Sequence, residues 1–129
     1  MPVRRSVLIV EDDANLRSVL EEFFRSRGWE ATGAADGLAG FRAASLGSFD
    51  LVTMDIMMPG VNGVESLRSM ALTGQGAKVV VISGCVDDQV EAECREAGAL
   101  AVVRKPVRLA ALGELVDGLI PPKTAPGSP

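Results

Sequence analysis

Apolar runs alternate along this chain with segments in which apolar residues recur every three or four positions. Residues 6–10 (SVLIV) form a nearly continuous run of branched side chains, the pattern of a strand covered on both faces. In residues 14–27 the apolar residues recur at helical spacing, and Asp13 and Gly28 stand where a helix has its N-cap and its C-cap. These patterns predict a central parallel strand followed by an amphipathic helix.

The same alternation continues as far as residue 119. Strands are predicted over residues 29–33, 49–54, 78–82 and 100–103, and helices over residues 36–46, 63–71, 86–97 and 107–119. In the second helix, Leu38 and Phe41 are expected to face the core. Because each parallel connection needs a crossover, this order predicts an α/β fold with a doubly wound five-stranded parallel sheet, (βα)5, covered by helices on both faces.

Length and hydropathy place these elements in one domain. The 129 residues fit a single domain, predicted over residues 1–120, and the Pro-, Gly- and Ser-rich residues 121–129 are predicted to be a disordered tail or the stub of a linker. No apolar run approaches the roughly 18 residues of a membrane span, and the N-terminus lacks the features of a signal peptide. We therefore expect a cytoplasmic protein that has no membrane partner.

Net charge and rare residue types exclude several classes of function. The net charge is −4 and basic residues do not cluster, so direct binding of nucleic acid is not expected. Histidine is absent, which excludes Ser-His-Asp triads, His-ligated zinc and a phosphohistidine carried by this chain. Nine helical steps, about 13 Å, separate Cys85 from Cys94, so free and mostly buried thiols are predicted rather than a disulfide.

Polar residues follow four of the five predicted strands. In an open doubly wound sheet, ligands bind outside the carboxyl ends of the strands, so these residues are candidates for one shared site. They are Glu11, Asp12 and Asp13 after the first strand, Asp55 after the third, Ser83 and Gly84 after the fourth, and Lys105 and Pro106 after the fifth. Nothing comparable follows the second strand.

Taken singly, each of these residues has an ordinary structural explanation. An acidic run before a helix stabilises the helix dipole, a serine after a strand often forms a turn, and a lysine before a proline is usually solvated. For Asp13 we keep the explanation as a cap. Met57 and Met58 are expected to pack in their loop. What favours a site is that four polar features meet at one edge of the sheet.

The chemistry of that edge suits a phosphoryl group. Two carboxylates about 4 Å apart repel by roughly 4 kcal/mol at an effective dielectric near 20, so several together favour a bound divalent cation. Mg²⁺ suits such oxygen ligands and keeps positions open for a phosphate oxygen. Lys105 and Ser83 supply a positive charge and a hydroxyl for phosphoryl oxygens. Asp55 would then be the nucleophile that accepts a phosphoryl group as an acyl phosphate.

Four short motifs carry a resemblance to a known family. They are VEDD after the first strand, MDIMMPGVNG around the end of the third, VISG after the fourth and RKP after the fifth. Together they resemble the receiver domain of two-component response regulators over roughly residues 6–119. The resemblance implies the flavodoxin-like strand order 2-1-3-4-5.

The resemblance also implies a role for each site residue. Asp55 is the implied phosphoacceptor, Ser83 the hydroxyl that contacts the phosphoryl group, and Lys105 the lysine whose bond to Pro106 is often cis. The implied metal ligands for Mg²⁺ are Glu11, Asp12 (the direct ligand of the pair), Asp55 and the main-chain carbonyl of Met57.

The same resemblance implies a regulatory domain rather than an enzyme, one that catalyses only its own phosphorylation and dephosphorylation. The donor would be the phosphohistidine of a sensor histidine kinase or of a histidine phosphotransfer protein, and the downstream target would be another protein. A monomer or weak dimer is expected. The chain would serve alone in a phosphorelay or as the receiver of a longer regulator.

One position departs from the family pattern, and two others bear on the lifetime of the phosphoryl group. Val102 stands where the family usually has Tyr or Phe, so signalling is expected to pass through Ser83 and the loop after the fourth strand. Met57 and Cys85 offer no polar group to orient an attacking water, so a long-lived phosphoryl group is predicted.

Other functions on a similar sheet fit less well. Phosphatases of the haloacid dehalogenase class need a second acid two residues after the nucleophile, where Met57 stands. A dinucleotide-binding domain needs a Gly-rich turn where this chain has three acids. A receiver-like module that binds proteins without phosphorylation, or dimerises through helix 4, strand 5 and helix 5, stays open as the alternative.

Overall fold

The computed structural model describes residues 4–58, 62–73 and 77–123, and within them five strands alternate with five helices. The strands are β1 (Ser6–Val10), β2 (Glu30–Ala34), β3 (Leu51–Met54), β4 (Lys78–Ser83) and β5 (Ala99–Arg104). The helices are α1 (Ala14–Ser26), α2 (Gly37–Leu46), α3 (Gly63–Thr73), α4 (Asp88–Ala97) and α5 (Leu109–Leu119). All ten predicted elements are confirmed in type, and their ends move by at most two residues.

The strands form one parallel sheet in the order β2-β1-β3-β4-β5, which confirms the predicted topology. Val10 lies beside Ala34 on one side and Met54 on the other, and Ser83 lies beside Arg104. Because this register aligns the carboxyl ends of the strands, the residues that follow them meet at one edge of the sheet.

The core has two layers, one on each face of the sheet. Strand residues alternate between them: Val10 contributes to the layer under α2, α3 and α4, and Ile9 to the layer under α1 and α5. Phe24 of α1 and Leu112 of α5 are buried in the second layer. None of the described helices is long and apolar enough to cross a membrane.

Helix α2 turns its large apolar residues away from the core, so the prediction for Leu38 and Phe41 is wrong. Leu38 is 61% exposed and Phe41 37% exposed. The helix approaches β1 through Gly40, where a Cβ atom would lie 2.6 Å from a methyl carbon of Val10. At this separation only small side chains such as Ala44 fit against the sheet, and larger ones must face outward.

Two further packing predictions need correction. Both cysteines are free, as predicted, and Cys94 is buried, but Cys85 is exposed because β4 ends at Ser83 and the chain leaves the sheet. Met58 is buried as expected for a packing residue, whereas the side chain of Met57 is 56% exposed.

A buried arginine joins the edge of the sheet formed by the amino ends of the strands to α5. Arg5 donates hydrogen bonds to Asp117 at 2.8 Å and to the carbonyl of Ile120 at 2.9 Å, and its guanidinium lies 4.4 Å from the ring centre of Trp29. Arg27 of the α1 C-cap also reaches Asp117, at 2.5 Å. These bonds join α5 to β1 and α1.

The predicted tail begins at residue 121, and residues 124–129 lie outside the described part of the chain. Lys123 is described, and its ammonium lies 2.8 Å from a carboxylate oxygen of Asp50. The tail stays a prediction.

Candidate functional site

The backbone fixes two acids just beyond the ends of β1 and β3. The amide of Glu11 donates to the carbonyl of Ala34 at 3.0 Å, and the amide of Asp55 donates to the carbonyl of Val10 at 3.1 Å. Both bonds extend the strand pairing by one residue. The two carboxylates are therefore placed by the sheet and not by a free loop.

Three carboxylates cluster at this edge. One oxygen from each of Glu11, Asp12 and Asp55 can be chosen so that all three lie within 4.8 Å of one another. Glu11 is only 2% exposed and Asp55 4%, whereas Asp12 is exposed. Two buried acids with a third open to solvent form an oxygen donor set of the kind that binds hard divalent cations.

Lys105 bridges the two buried acids. Its ammonium lies 2.7 Å from Oδ2 of Asp55 and 2.9 Å from Oε1 of Glu11. The backbone amide of Lys105 donates to the carbonyl of Ser83 at 2.9 Å, which continues the pairing of β4 and β5. The bond from Lys105 to Pro106 is cis, as the family resemblance implies.

Burial and nearby charge have opposite effects on the pKa of Glu11, and also on the pKa of Lys105. Burial raises the pKa of Glu11 above its ordinary 4.5, and the hydrogen bond from Lys105 opposes that rise without cancelling it. Burial alone would lower the pKa of Lys105, but the hydrogen bonds and charges of Asp55 and Glu11 outweigh it and hold this pKa above 10.5. Lys105 is therefore a cation at neutral pH.

Both carboxylate oxygens of Asp55 have a partner. Oδ2 accepts from Lys105, and Oδ1 accepts the backbone N–H of Met57 at 2.8 Å. These two bonds fix the plane of the carboxylate. The backbone of Met57 thus adjoins Asp55, while the role of its carbonyl as a metal ligand stays a prediction.

Ser83 ends β4 as a completely buried residue, and its hydroxyl has no hydrogen-bond partner among the described atoms. A buried hydroxyl left unpaired costs about 1–3 kcal/mol. An acceptor oxygen brought to this edge would relieve that cost, which is what a bound phosphoryl group offers.

The β3–α3 loop depends on Gly63. A Cβ atom on this residue would overlap the carbonyl oxygen of Ile56, directly after Asp55. Glycine therefore lets α3 start against the backbone that carries the acid. Pro59 of the same loop lies outside the described residues.

Arg17 is a neighbour of the site that the sequence analysis missed. Its guanidinium donates to the backbone carbonyl of Glu11 at 2.8 Å. Asp13, one helical turn earlier, is confirmed as the N-cap of α1 because its carboxylate accepts from the amides of Asn15 and Leu16. The spacing of Arg17 from that cap could have indicated that it reaches back toward the end of β1.

Val102 is the fourth of the six residues of β5. It pairs in register with Val81, is partly buried and packs against the core layer under α3 and α4. The position that the family usually gives to an aromatic ring thus holds a short side chain.

The sequence matches a known family over most of its length. Residues 7–117 match the response regulator receiver domain. The chain is 39% identical over 116 residues to the transcriptional activator protein PfeR of Pseudomonas aeruginosa, covering 88% of this chain but 37% of that protein. It is 28% identical over 122 residues to sporulation initiation phosphotransferase F of Bacillus subtilis, covering 95% of this chain and 98% of that one.

Comparison of structures agrees with comparison of sequences. The crystal structure of a CheY-like response regulator receiver domain protein from Methanospirillum hungatei is 26% identical to this chain. It superposes with a TM-score of 0.86 over 91% of this chain and 94% of that one. The strand order, the polar residues at the strand ends and both comparisons lead to one conclusion: the chain belongs to the receiver domains of two-component response regulators.

Proposed function

We propose that this receiver domain accepts a phosphoryl group on Asp55 from a phosphohistidine of a partner protein and relays the signal by a conformational change or by phosphotransfer. The observation that carries the proposal is the Lys105 bridge, which joins Asp55 to Glu11. The backbone of Lys105 is hydrogen-bonded to that of Ser83, whose buried hydroxyl is unpaired. Acid, lysine and hydroxyl are the groups that an aspartyl phosphate needs. As a member of its family the chain is a regulatory domain and not a conventional enzyme.

The transfer uses one of the two fixed oxygens of Asp55. A lone pair of one carboxylate oxygen attacks phosphorus, the P–N bond of the donor breaks, and its electron pair stays with the departing imidazole. Lys105, held as a cation, then pairs with a phosphoryl oxygen in place of the acid, and Ser83 donates its hydroxyl hydrogen to another. In this proposal the domain catalyses only this transfer and the later hydrolysis.

Magnesium fits the donors at this edge. Glu11, Asp12 and Asp55 present carboxylate oxygens within reach of one another, and Met57 would add its main-chain carbonyl. When bound, Mg²⁺ supplies positive charge between the acids and the incoming phosphoryl oxygens. The unpaired Ser83 hydroxyl is consistent with a site that also receives a phosphoryl group.

The partners follow from what this chain lacks. Because this chain has no histidine, we propose that the phosphohistidine belongs to a sensor histidine kinase or a histidine phosphotransfer protein. We propose a cytoplasmic setting, a downstream protein target, no direct contact with nucleic acid and a monomer or weak dimer. Residues 1–120 would form the receiver domain, and residues 121–129 a tail or linker.

A small phosphodonor tests the proposal without the unknown kinase. The protein is incubated with Mg²⁺ and acetyl phosphate, and its intact mass is measured. We expect the added mass of one phosphoryl group in the wild type, none in Asp55→Ala, and none when a chelator removes the metal. Asp36→Ala is the matched control, because Asp36 caps α2 outside the site, and it should be phosphorylated normally.

A folded wild-type protein that gains no mass would refute phosphorylation at Asp55. It would favour the alternative, a receiver-like module that binds its partner without phosphorylation. Added mass that persists in Asp55→Ala would instead assign the acceptor to another residue.

A further inference from the structure

The guanidinium of Arg17 is bonded to the backbone that carries two acids of the site. Its Nη1 donates to the carbonyl oxygen of Glu11 at 2.8 Å, and the amide of Glu11 donates in turn to the carbonyl of Ala34 at 3.0 Å. Both backbone polar groups of Glu11 are therefore hydrogen-bonded. Because the carbonyl of Glu11 and the amide of Asp12 belong to one planar peptide unit, the bond from Arg17 also fixes the plane from which Asp12 starts.

Asp12 depends on this backbone because its side chain has no anchor of its own. In the part of the chain that the structure describes, its exposed carboxylate has no hydrogen-bond or ion-pair partner. Glu11 and Asp55, by contrast, are buried and both pair with Lys105. Among the three acids that come within 4.8 Å of one another, Asp12 is thus the acid whose position depends on the main chain.

Arg17 is itself restricted by its neighbours. Glu21, one turn further along α1, lies 4.0 Å from Arg17 and 3.6 Å from Arg25, and the side chains of Arg17 and Glu21 are only partly exposed. Gly33 of β2 leaves room for this pair, since a Cβ atom there would overlap the carboxylate of Glu21 and lie 3.2 Å from Cδ of Arg17. Because these contacts already limit the side chain of Arg17, it loses little further freedom in its bond to the carbonyl.

We propose that Arg17 is a positioning residue for Mg²⁺. By holding the carbonyl of Glu11, it keeps the carboxylate of Asp12 beside those of Glu11 and Asp55 before the ion binds. This inference rests on the proposed function, in which Asp12 is a ligand of the ion, and adds a residue to that site. Groups that orient the ligands of a metal typically contribute about 10–100-fold to its affinity.

The charge of Arg17 distinguishes this role from a simple electrostatic effect. A cation near three acids repels Mg²⁺, so removal of that cation would strengthen the binding of Mg²⁺ if charge alone mattered. Loss of a positioning bond has the opposite effect, because Asp12 must then be ordered when the ion binds. For Arg17→Met, the two explanations therefore predict changes of affinity in opposite directions.

Titration of the full chain with MgCl₂, followed by the amide chemical shifts of residues 11–13 and 55–57, measures this affinity without a phosphodonor. We expect Arg17→Met to raise the dissociation constant for Mg²⁺ by about tenfold. Arg25→Met is the matched control, because Arg25 is also a cation on α1 and donates to a backbone carbonyl, that of Ala31, at 2.9 Å. It should change the constant by less than about twofold.

The conservative variant Arg17→Lys keeps the charge and one donor. It should restore part of the affinity, with a dissociation constant about two- to fivefold above that of the wild type. Urea denaturation shows whether each variant is folded, and Arg17→Lys decides the matter if Arg17→Met is not.

The rate of phosphorylation by acetyl phosphate gives a second readout. At low Mg²⁺ the rate should be slower in Arg17→Met than in the wild type. At saturating Mg²⁺ the two rates should agree within about twofold, because excess ion orders Asp12 in either protein. A rate that stays low at saturating Mg²⁺ would indicate a general structural defect and would overturn the positioning role.

Three results of the titration would also overturn the inference. They are unchanged or tighter binding of Mg²⁺ in Arg17→Met, an equal loss of affinity in Arg25→Met, and amide shifts in the wild type that do not respond to Mg²⁺. The proposed function can fail separately. A wild type that binds Mg²⁺ with the expected differences between variants, but gains no phosphoryl group, would support the role of Arg17 and refute phosphorylation.

Discussion

Lys105 is the single residue on which the charge balance of the site depends. It is the cation hydrogen-bonded to the buried carboxylates of both Asp55 and Glu11. We predict that Lys105→Met lowers the free energy of unfolding by about 2–4 kcal/mol at pH 7, because two adjacent buried acids then lose their cation. Urea denaturation of the folded protein measures this change.

A second substitution separates charge from packing. In the double variant with Asp55→Asn, part of the lost stability should return, since only one of the two buried acids then remains. Lys78→Met, at an exposed lysine, should cost less than about 1 kcal/mol. If Lys105→Met were no more costly than Lys78→Met, the electrostatic role of Lys105 would be wrong.

Met57 and Cys85 bear on how long a phosphoryl group persists on Asp55. Both side chains are exposed, and sulfur groups are weak at orienting water. We predict slow hydrolysis that becomes several-fold faster in Met57→Asn or Cys85→Glu, because each introduces a group that can direct an attacking water. The decay of the phosphorylated mass after removal of donor gives the rate. Rapid decay that neither substitution alters would contradict the prediction.

At the scale of elements, the junction of β3 with α3 depends on a close approach at Gly63. We predict that Gly63→Ala lowers the free energy of unfolding by about 1–3 kcal/mol, because its methyl group overlaps the carbonyl of Ile56. Gly118→Ala is the control: this glycine lies in α5 with no atom near its missing Cβ, so alanine should stabilise by up to about 1 kcal/mol. Urea denaturation compares the two, and equal effects would contradict the account.

The periodicity of apolar residues predicts which elements form but not how closely they approach each other. Continuous apolar runs and helical spacing were enough for all ten elements and for the parallel sheet. They failed for Leu38 and Phe41, because the close contact of Gly40 with Val10 depends on the three-dimensional path of α2.

The candidate site was predictable for a related reason. Strand ends locate Asp55 and Lys105 directly, because parallel strands present their carboxyl ends at one edge. Arg17 escaped notice because its partner is a backbone carbonyl, and every residue has one. Exposure of Met57 and Cys85 was equally hard to foresee, since both lie in loops without periodicity.

At the scale of the whole molecule, the two edges of the sheet differ in chemistry. The carboxyl edge gathers three acids, two of which pair with one lysine, a donor set that suits a cation. At the other edge Arg5 and Arg27 share a single acid, Asp117, so those charges are satisfied within the protein. The first edge is therefore suited to binding, and the second holds α5 in place.

This difference predicts how stability responds to acid. The hydrogen bond from Arg5, with that from Arg27, holds the pKa of Asp117 below its ordinary 3.8. A carboxyl group whose pKa is lowered by folding contributes stability that is fully present above pH 3.8. This stability is lost as the pH falls through the pKa of the group in the folded protein. We predict that Asp117→Asn costs about 1 kcal/mol at pH 7, a modest amount because the acid is partly exposed.

The cost of Asp117→Asn should shrink toward zero as the pH is lowered from 5 to about 2, because the wild-type acid then becomes neutral as well. Urea denaturation at each pH follows it. Asp88→Asn is the matched control, since Asp88 pairs with Arg104 at a fully exposed position and its replacement should change stability little at any pH. A cost for Asp117→Asn that stays constant with pH would show that packing, and not charge, joins α5 to Arg5.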